Sequence, residues 1–433
     1  MTQAGVALLA LLAAGPDGEV SSRIQLRLGA LDSAAVSWFE TRAVLGYSPD
    51  LGERVRGRFG FELRADGLAA IGSYADLAEA DKREPVSLLV NEAWLQFPDA
   101  LPGLSLTLGR QKVHWGTGDG VSPTDNLCAP DYSDPLVWDA RRPAWLALAE
   151  YAPVQAFGIE AAIKPVFEPA LSTTSRWFSV KMLPSVDELR EGIRLGLIGN
   201  GYDTATARYV AGLYNISIAE RLDLPANSLE NFTGGVRAKT HFGSIDLSAS
   251  VLRGWGFLPG YSPVVSIDSF DYSFTLVGSF PRRTVVGADF AADLAGVGLR
   301  AEAAWSLYDD SLPEDELELI AGADYSVAGF YLNAQYLRGG FPLALAAGAS
   351  GAGKDFVLGA VEREFLDTRL KVRLGGAVDL RDASWAFQPV LTVRPVSVAE
   401  VEFGAMLFGG EAGSAFAPLG DNDMAFLGAR FRF

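Results

Sequence analysis

Short segments in which apolar and polar side chains alternate dominate this chain. Between Glu53 and Ala65, every second position is apolar or glycine, and the positions between them carry most of the charge: Arg54, Arg56, Arg58, Glu62 and Arg64. Side chains two residues apart in a β-strand point to the same face of the sheet. The segment therefore predicts a strand with one apolar face and one charged face.

The same alternation recurs along most of the chain, with turn residues between the segments. It returns around Arg237 and Lys239, and again between Arg369 and Arg381. Further segments of this kind lie at 38–47, 286–294, 297–308, 316–327, 330–337, 385–393 and 399–408. A layer of helices is not indicated between them, so we predict an all-β chain.

The final segment, Met424–Phe433, alternates strictly and carries aromatic residues on its apolar face. Arg430 and Arg432 lie on the opposite face. This segment resembles the C-terminal strand of bacterial outer-membrane β-barrels. The resemblance implies that the barrel-insertion machinery of that membrane recognises the strand.

Alternation alone does not decide between a soluble and a membrane protein, because a soluble antiparallel sheet also has one wet face. Although 49% of the chain is hydrophobic, no apolar run beyond its first residues reaches the roughly 18 residues that a spanning helix needs. Dispersed apolar side chains are typical of strands that face lipid on one side. We therefore predict a transmembrane, antiparallel, up-and-down β-barrel of about 16–18 strands, surrounded by outer-membrane lipid.

The first residues, Met1–Gly15, contain an apolar core followed by small residues, as in an export signal. No lysine or arginine precedes Arg23, so the basic region that usually opens such a signal is missing. A short buried helix is the alternative. We expect a signal peptide at 1–15 and a single barrel domain at 16–433, since no linker or low-complexity run interrupts the remainder.

One interruption of the alternation predicts a helix in a loop. Within 183–200, Ser185 and Glu188 form the S-x-x-E pattern of a capping box, and apolar residues follow at helical spacing. Two placements are open. The helix lies on an outer loop, or it folds into the mouth of the barrel and narrows the pore.

A second interruption, at 115–142, predicts a long loop that folds into the barrel and constricts it. Its glycines permit sharp turns. Two arginines are placed to pair with acidic residues of the loop and to hold it against the wall. The residues that we assign to this constriction are Arg110, Trp115, Gly116, Asp119, Asp125 and Arg142. An ordinary surface loop rich in turn residues is the alternative.

The sequence around this loop carries a second resemblance. A strand ends in Gly-Arg-Gln at 109–111, Trp115-Gly116 follows, and Pro123-x-Asp125 leads to an arginine before the next strand. This arrangement is similar to a motif of large outer-membrane porin-like barrels, including alginate-export-type channels. The resemblance implies a porin of the Gram-negative outer membrane, and it does not identify the substrate.

Positively charged residues on the inward faces are the best candidates for selecting solutes. They are Arg54, Arg56, Arg58, Arg64, Arg237, Lys239, Arg369, Lys371, Arg373, Arg381, Arg430 and Arg432. Charges that line a pore select ions by sign, and arginine holds carboxylate or phosphate groups bidentately. An opposing acidic wall is predicted at Glu362, Glu364, Glu400 and Glu402. The alternative is that these charges neutralise one another and stiffen the barrel.

Composition limits other functions. A net charge of -17 disfavours nucleic acid as a partner. The two histidines, His114 and His241, leave little material for a zinc site, and one cysteine, Cys128, excludes an internal disulfide. No G-x-S-x-G motif is present, and the acidic residues of the loop lack EF-hand spacing. We expect no enzyme activity, no metal and no cofactor.

These features predict a channel through which small hydrophilic, anionic solutes diffuse passively, selected by pore width and lumenal charge. Two alternatives stay open. One is a barrel that exports an acidic polysaccharide, and the other is a non-conducting surface-binding or scaffold barrel. Assembly into a homo-oligomer is also left open.

Overall fold

The structure is a computed structural model that describes residues 17–28, 34–49, 51–67, 71, 73–134, 136–137, 139–171, 183–310, 313–341 and 355–433. The expected signal peptide, Met1–Gly15, lies outside the described residues.

Strands make up most of the described chain. In chain order they are β1 (Asp17–Leu28), β2 (Ala34–Tyr47), β3 (Arg56–Asp66), β4 (Val86–Leu101), β5 (Leu104–Gln111), β6 (Ala144–Val154), β7 (Phe157–Lys164), β8 (Asn215–Asp223), β9 (Thr233–Phe242), β10 (Ile245–Trp255), β11 (Gly260–Asp268), β12 (Asp271–Ser279), β13 (Arg282–Leu294), β14 (Val297–Tyr308), β15 (Glu316–Val327), β16 (Phe330–Arg338), β17 (Asp355–Phe365), β18 (Leu370–Asp379), β19 (Trp385–Val396), β20 (Ala399–Gly409) and β21 (Met424–Arg432). The helices are α1 (Ala80–Arg83), α2 (Val186–Gly199) and α3 (Thr204–Leu213), with 3-10 turns at Ala75–Ala78, Leu229–Asn231 and Ala417–Asn422.

All strands except β8, β11 and β12 belong to one closed, 18-stranded sheet. Each strand pairs antiparallel with the next in this series, for example β7 with β9 and β10 with β13. The ring closes where β21 pairs with β1, with Ser21 opposite Arg430. This confirms the predicted all-β, up-and-down barrel and the predicted range of strand numbers. It is the architecture of transmembrane, porin-like barrels.

Each barrel strand sorts its side chains into an outward apolar face and an inward polar face. On β14, Trp305 points outward and is 51% exposed, whereas Glu302 and Ser306 point inward and are 3% and 1% exposed. The terminal strand follows the predicted alternation, with Leu427 and Phe431 exposed. Soluble monomers rarely expose apolar surface continuously. A belt of this kind around a closed sheet is the surface that meets lipid.

The two ends of the barrel differ in the length of their connections. The end that carries Asp17 and Phe433 has short turns, several of them two residues long. Gly243 and Gly296 occupy such turns with φ of 63° and 82°, in the left-handed region that favours glycine. The opposite end carries the long connections 112–143 and 165–232. We refer to these as the short-turn end and the long-loop end.

The predicted loop helix is present as α2. The Ser185 hydroxyl accepts a hydrogen bond from the Glu188 N–H at 3.2 Å, and the Glu188 carboxylate accepts from the Ser185 N–H at 2.5 Å. This confirms the capping box. The helix packs on α3 and β8. Among the described helices, none combines the length and the apolar character needed to cross a membrane.

Two features of the long-loop end were not predicted. Helix α3 begins after Asp203, whose carboxylate accepts from the Ala205 and Thr206 N–H groups. A small sheet also extends this end, in which the β11–β12 hairpin continues β10 and β13, and β8 pairs with β12 in parallel. Alternation indicates strands, but it does not indicate which of them join the barrel.

Apolar side chains fill part of the barrel interior at the long-loop end. Inward residues of β15–β21 pack there against the connection 410–423. The rings of Phe341, Phe356 and Phe416 lie 5.4 to 6.0 Å apart. We call this group the apolar cluster: Ile320, Leu337, Phe341, Phe356, Leu358, Ala377, Ala386, Met406, Phe408, Ala415, Phe416, Leu419 and Met424.

Candidate functional site

Residues 112–143, here called the constriction loop, cross the interior of the barrel. The loop begins at the end of β5. Its Thr117 and Gly118 bind Glu302 on β14, and its Asp119 binds Gln335 on β16. The strands β6, β7, β9, β10 and β13 separate β14 from β5 around the ring. Because Glu302 and Gln335 point inward, the loop reaches them through the lumen, as the sequence predicted.

Glu302 is the main polar anchor of the constriction loop. Its buried carboxylate accepts hydrogen bonds from the N–H groups of Thr117 and Gly118 at 2.5 Å each. It also accepts from the Ser122 hydroxyl at 2.9 Å, and from the Thr124 N–H and hydroxyl at 3.2 and 2.9 Å. These donors satisfy a buried negative charge in the way that a cation otherwise would. Glu302 was not predicted from the sequence, because its partners lie about 180 residues away along the chain.

Two glycines allow the loop to approach Glu302 this closely. Gly116 has φ of 126°, and a Cβ there would lie 2.1 Å from the Ser122 Oγ and 2.7 Å from a Glu302 oxygen. At Gly118, a Cβ would lie 2.3 Å from the Val121 carbonyl oxygen. Glycine is therefore required at 116 both for its backbone conformation and for space.

A cluster of apolar side chains anchors the constriction loop to the inner wall of the barrel at β6 and β10. Trp115 is 1% exposed, and Leu127 and Cys128 are fully buried. They pack against the inward side chains of Leu146 on β6 and Leu252 on β10. Trp115 was predicted to be part of the constriction. Its ring packs against the inner wall of the barrel.

Asp125 joins the two ends of the loop. Its carboxylate binds the His114 Nδ1 at 2.8 Å and the Arg141 Nε at 3.0 Å. The hydrogen bond to Asp125 raises the pKa of His114. The sequence predicted that Arg110 and Arg142 pair with Asp119, Asp125 or Asp139, but the partner of Asp125 is Arg141, and Arg142 donates its backbone N–H to the Ala129 carbonyl.

Asp119 lies at the tip of the loop, against the far wall. Its carboxylate pairs with Arg300 on β14 and accepts from the Asn333 side chain at 3.1 Å. Its backbone N–H and carbonyl bind the Gln335 amide at 3.2 and 2.8 Å. Three inward side chains of the far wall therefore bind the tip of the loop: Arg300, Asn333 and Gln335. None of them was predicted from the sequence.

Arg110 does not hold the loop, contrary to the prediction. It is the second-last residue of β5 and lies opposite the exposed Trp145. Its guanidinium binds Glu168 at 3.2 Å and the Val90 carbonyl at 2.7 Å. The register of β5 with β6 decides this placement, because it sets Arg110 on the same face as Trp145.

Two further contacts tie the loop to other parts of the wall. Asn126 accepts a hydrogen bond from Arg283 on β13 at 2.8 Å. Asp134 pairs with Arg23 on β1. The loop thus touches β1, β6, β10, β13, β14 and β16, so a solute that crosses the barrel has to pass beside it.

Most of the predicted inward cations lie on inward faces and have a carboxylate partner. The pairs are Arg58 with Asp17 and Glu92, Arg64 with Glu62, Arg237 with Asp289, Lys239 with Glu160, Lys371 with Glu362, and Arg430 and Arg432 with Glu19 and Glu400. Glu364 and Glu400 also bind Arg394. Acidic and basic groups thus alternate around the wall, and much of the charge is neutralised locally.

Arg56 and Arg373 differ from the other predicted cations that lie on strands. Arg373 donates to the Gln388 amide oxygen at 3.2 Å, and Arg56 is exposed near the short-turn end. Within the described ranges of the chain, neither forms an ion pair. Their charge is therefore the most available to a passing anion.

Three of the predicted lining residues lie outside the strands, which corrects the prediction. β3 begins at Arg56, so Arg54 lies in the preceding turn. β18 begins after Arg369 and ends before Arg381, which places these two in turns at opposite ends of the barrel. Arg381 binds Asp355 at 2.9 Å. The alternation continues into turns because charged residues are also favoured there, and the sequence alone did not mark the strand ends.

Two cavities flank the constriction loop. One, of about 330 Å³, lies between the loop and β16–β19, with polar lining residues Asp119, Asp139, Asn333, Glu362, Arg373 and Gln388. The other, of about 360 Å³, lies beside β9, β10 and β13, with polar lining residues Thr117, Arg237, Lys239, Ser248 and Asp289. Both present donors, acceptors and charges of both signs. Such surroundings suit water and small hydrophilic solutes.

The barrel is similar in fold to several solved bacterial proteins. A mutant of the Rh. blastica porin has a TM-score of 0.41 at 12% identity, over 96% of this chain and 99% of that chain. Salmonella typhi OmpF in complex with daunomycin has a TM-score of 0.41 at 10% identity, over 96% of each chain. OmpT, an outer membrane protein of Vibrio cholerae in its trimer form, has a TM-score of 0.41 at 10% identity, over 96% and 98%.

No protein-family model and no curated protein sequence matches the chain.

Proposed function

We propose that this protein is an outer-membrane channel for the passive diffusion of small hydrophilic solutes. One observation carries the proposal: a polar loop crosses the lumen of a closed, lipid-facing barrel and leaves polar cavities on both sides. Short turns at one end and long loops at the other are typical of outer-membrane barrels. The proposal includes an export signal at 1–15, a single barrel domain at 16–433, and insertion that depends on β21.

Swelling of liposomes that contain the folded barrel tests diffusion directly. We expect uncharged sugars to enter at rates that fall with their size, because the constriction loop limits the cross-section. Liposomes that hold the heat-unfolded protein are the control. Absence of sugar entry through a correctly folded barrel would overturn the proposal.

For solute charge, we propose a preference for anions that depends on Arg56 and Arg373. Support comes from the wall, where most other predicted cations are already paired with carboxylates, as Arg237 is with Asp289. Such pairs contribute little net charge to the pore.

Reversal potentials in a salt gradient test this preference. Arg56→Glu combined with Arg373→Glu should shift permeability toward cations, because these side chains face the lumen without an ion-pair partner among the described residues. Arg64→Gln, at a position already paired with Glu62, is the matched control and should have a smaller effect. Unchanged selectivity in the double variant would remove Arg56 and Arg373 from the limiting part of the pore.

The apolar cluster favours a second candidate, a barrel that does not conduct at rest and acts through its outer loops. Phe341, Phe416 and Leu419 are fully buried inside the long-loop end. Water does not enter an apolar region of this kind readily. A folded barrel that transports no sugar in the swelling experiment would support this candidate.

A further inference from the structure

The outward face of the barrel carries a groove that takes no part in the proposed diffusion. Small outward residues lie side by side on four neighbouring strands: Ala323, Ala334, Gly359 and Gly376. They form the floor of a groove of about 740 Å³. Larger apolar side chains border it, so the groove opens toward the hydrocarbon of the membrane.

The borders of the groove are apolar and partly exposed. Leu332 and Val361 lie on the side of the short-turn end, and Trp385 and Phe387 contribute from β19. Water has no hydrogen-bonding partner at this depth of a bilayer. The groove is therefore filled either by the acyl chain of a lipid or by apolar side chains of another protein.

One cation lies beside the groove on the same outward face. Arg363 follows Val361 by two positions along β17, toward the short-turn end, and lies opposite Phe330. Its guanidinium carbon is 4.5 Å from the centre of the Phe330 ring and 5.0 Å from that of Phe365. In the part of the chain that the structure describes, its N–H groups make no hydrogen bond or ion pair. The rings cover the faces of the guanidinium, and its N–H edge is left to bind an anion.

We infer that this groove binds one anionic glycerophospholipid, with its phosphate at Arg363 and an acyl chain along the floor. Gly359 lies four residues from Arg363 on the same strand, a distance of about 13 Å. Because barrel strands are tilted by about 35–45°, Gly359 lies about 10 Å deeper in the membrane than Arg363, within one leaflet of the roughly 30 Å hydrocarbon core. Arginine near the membrane surface attracts anionic lipids. A barrel that never conducts has the same outward face, so this inference does not depend on the proposed function.

Native mass spectrometry of the folded barrel in detergent tests the site with dioleoyl-phosphatidylglycerol and dioleoyl-phosphatidylcholine. We expect one phosphatidylglycerol per barrel, retained about fivefold more tightly than phosphatidylcholine, since one basic residue distinguishes the headgroups. Arg363→Gln should remove this preference. Gly359→Leu should weaken both lipids by filling the groove. A Cβ at Gly359 has ordinary contact, with its nearest neighbour at 3.4 Å, so the variant should fold.

Matched variants elsewhere on the outward face are the controls. Arg338→Gln removes an arginine at the long-loop end, and Ala249→Leu enlarges a small outward residue on β10. Both should retain phosphatidylglycerol as the unmodified barrel does. Equal retention of the two lipids, or unchanged retention in Gly359→Leu, would overturn the inference. A dimer mass without lipid, abolished by Gly359→Leu, would assign the groove to a second copy and would overturn it as well.

Discussion

At the scale of single residues, Glu302 explains why a loop lies across the lumen. Its carboxylate accepts hydrogen bonds from Thr117, Gly118, Ser122 and Thr124, and an aliphatic side chain could not replace this acceptor. A hydrogen bond to a charged group contributes about 1.5–3 kcal/mol, and several of them converge here. The loop is therefore held in one position, with polar residues lining the cavities on both sides of it.

Glu302→Ala should weaken the attachment of the loop to the far wall, where the contacts of Asp119 remain. We expect amide hydrogen exchange at Thr117 and Gly118 to accelerate by tenfold or more, because the loss of about 1.4 kcal/mol already changes an opening equilibrium tenfold. Glu364→Ala, which removes an inward carboxylate that binds Arg394, is the control and should leave these amides protected. Equal exchange in both variants would show that Glu302 does not anchor the loop.

Gly116→Ala should also destabilise the loop, by about 1–3 kcal/mol, because a Cβ there would collide with Ser122 and the backbone is left-handed. Gly120→Ala is the matched control. Gly120 also has positive φ, of 75°, but nothing lies within 4 Å of its Cβ position. Limited proteolysis of the loop measures both. If Gly120→Ala destabilised the loop as much as Gly116→Ala, the cost of both substitutions would come from the backbone conformation and not from a lack of space for the Cβ.

At this scale the sequence could predict which residue types face the lumen but not their partners. Arg430 and Glu400 were both placed inward, and they pair. Arg141 and Arg142 are adjacent, and no sequence pattern distinguishes them as partners of Asp125. Such choices depend on register and on the path of the loop, which are set by contacts between distant parts of the chain.

At the scale of elements, the constriction loop contains a titrating group. A hydrogen bond to Asp125 raises the pKa of His114. A raised pKa in the folded state means that this bond stabilises the loop fully below the ordinary histidine pKa of about 6.5. The contribution is lost as the pH rises through the raised value. Arg141 remains on Asp125, so the loop loosens without leaving its place.

We therefore expect hydrogen exchange at Trp115, corrected for the intrinsic rate, to rise as the pH increases above about 6.5. His114→Gln should abolish this dependence while it leaves the fold intact. His241→Gln, at the histidine that binds Asp246 outside the loop, is the control and should keep the dependence. The same pH profile in His114→Gln would exclude His114 as the titrating group.

Helix α2 offers a test of an element that the sequence predicted correctly. Ser185→Ala removes the side-chain acceptor of the capping box and should destabilise the helix by about 1 kcal/mol. Faster amide hydrogen exchange at Glu188 in the Ser185→Ala variant would show this destabilisation. Ser228→Ala, before the 3-10 turn at Leu229–Asn231, makes no side-chain cap and should have no such effect.

Elements were predictable where local patterns decide them. Alternation found the barrel strands, and the Ser185–Glu188 spacing found α2. Helix α3 and the β8–β11–β12 sheet were missed, since α3 has only a short apolar pattern and the sheet differs from the barrel in its pairing rather than its sequence. Strand ends at Arg54 and Arg369 were also misplaced, because charged turn residues extend the alternation.

At the scale of the whole molecule, a closed barrel meets lipid outside and holds charge inside. The ring closes between β21 and β1, where Arg430 and Arg432 meet Glu19. Closure leaves no unpaired strand edge in the hydrocarbon, where unsatisfied backbone groups are costly. Within this frame the constriction loop narrows the lumen and the apolar cluster fills part of the long-loop end.

Single-channel recording in a planar bilayer tests directly whether the barrel is an open channel narrowed by the constriction loop. We predict steps of reproducible size in the unmodified protein, and larger or noisier steps in Glu302→Ala, because the loop then loses its main polar anchor and is held less tightly in the lumen. Glu364→Ala should resemble the unmodified protein. A folded, inserted barrel that gives no conductance steps would show that it is not an open channel. Steps that Glu302→Ala leaves unchanged would show that the constriction loop held by Glu302 does not narrow it.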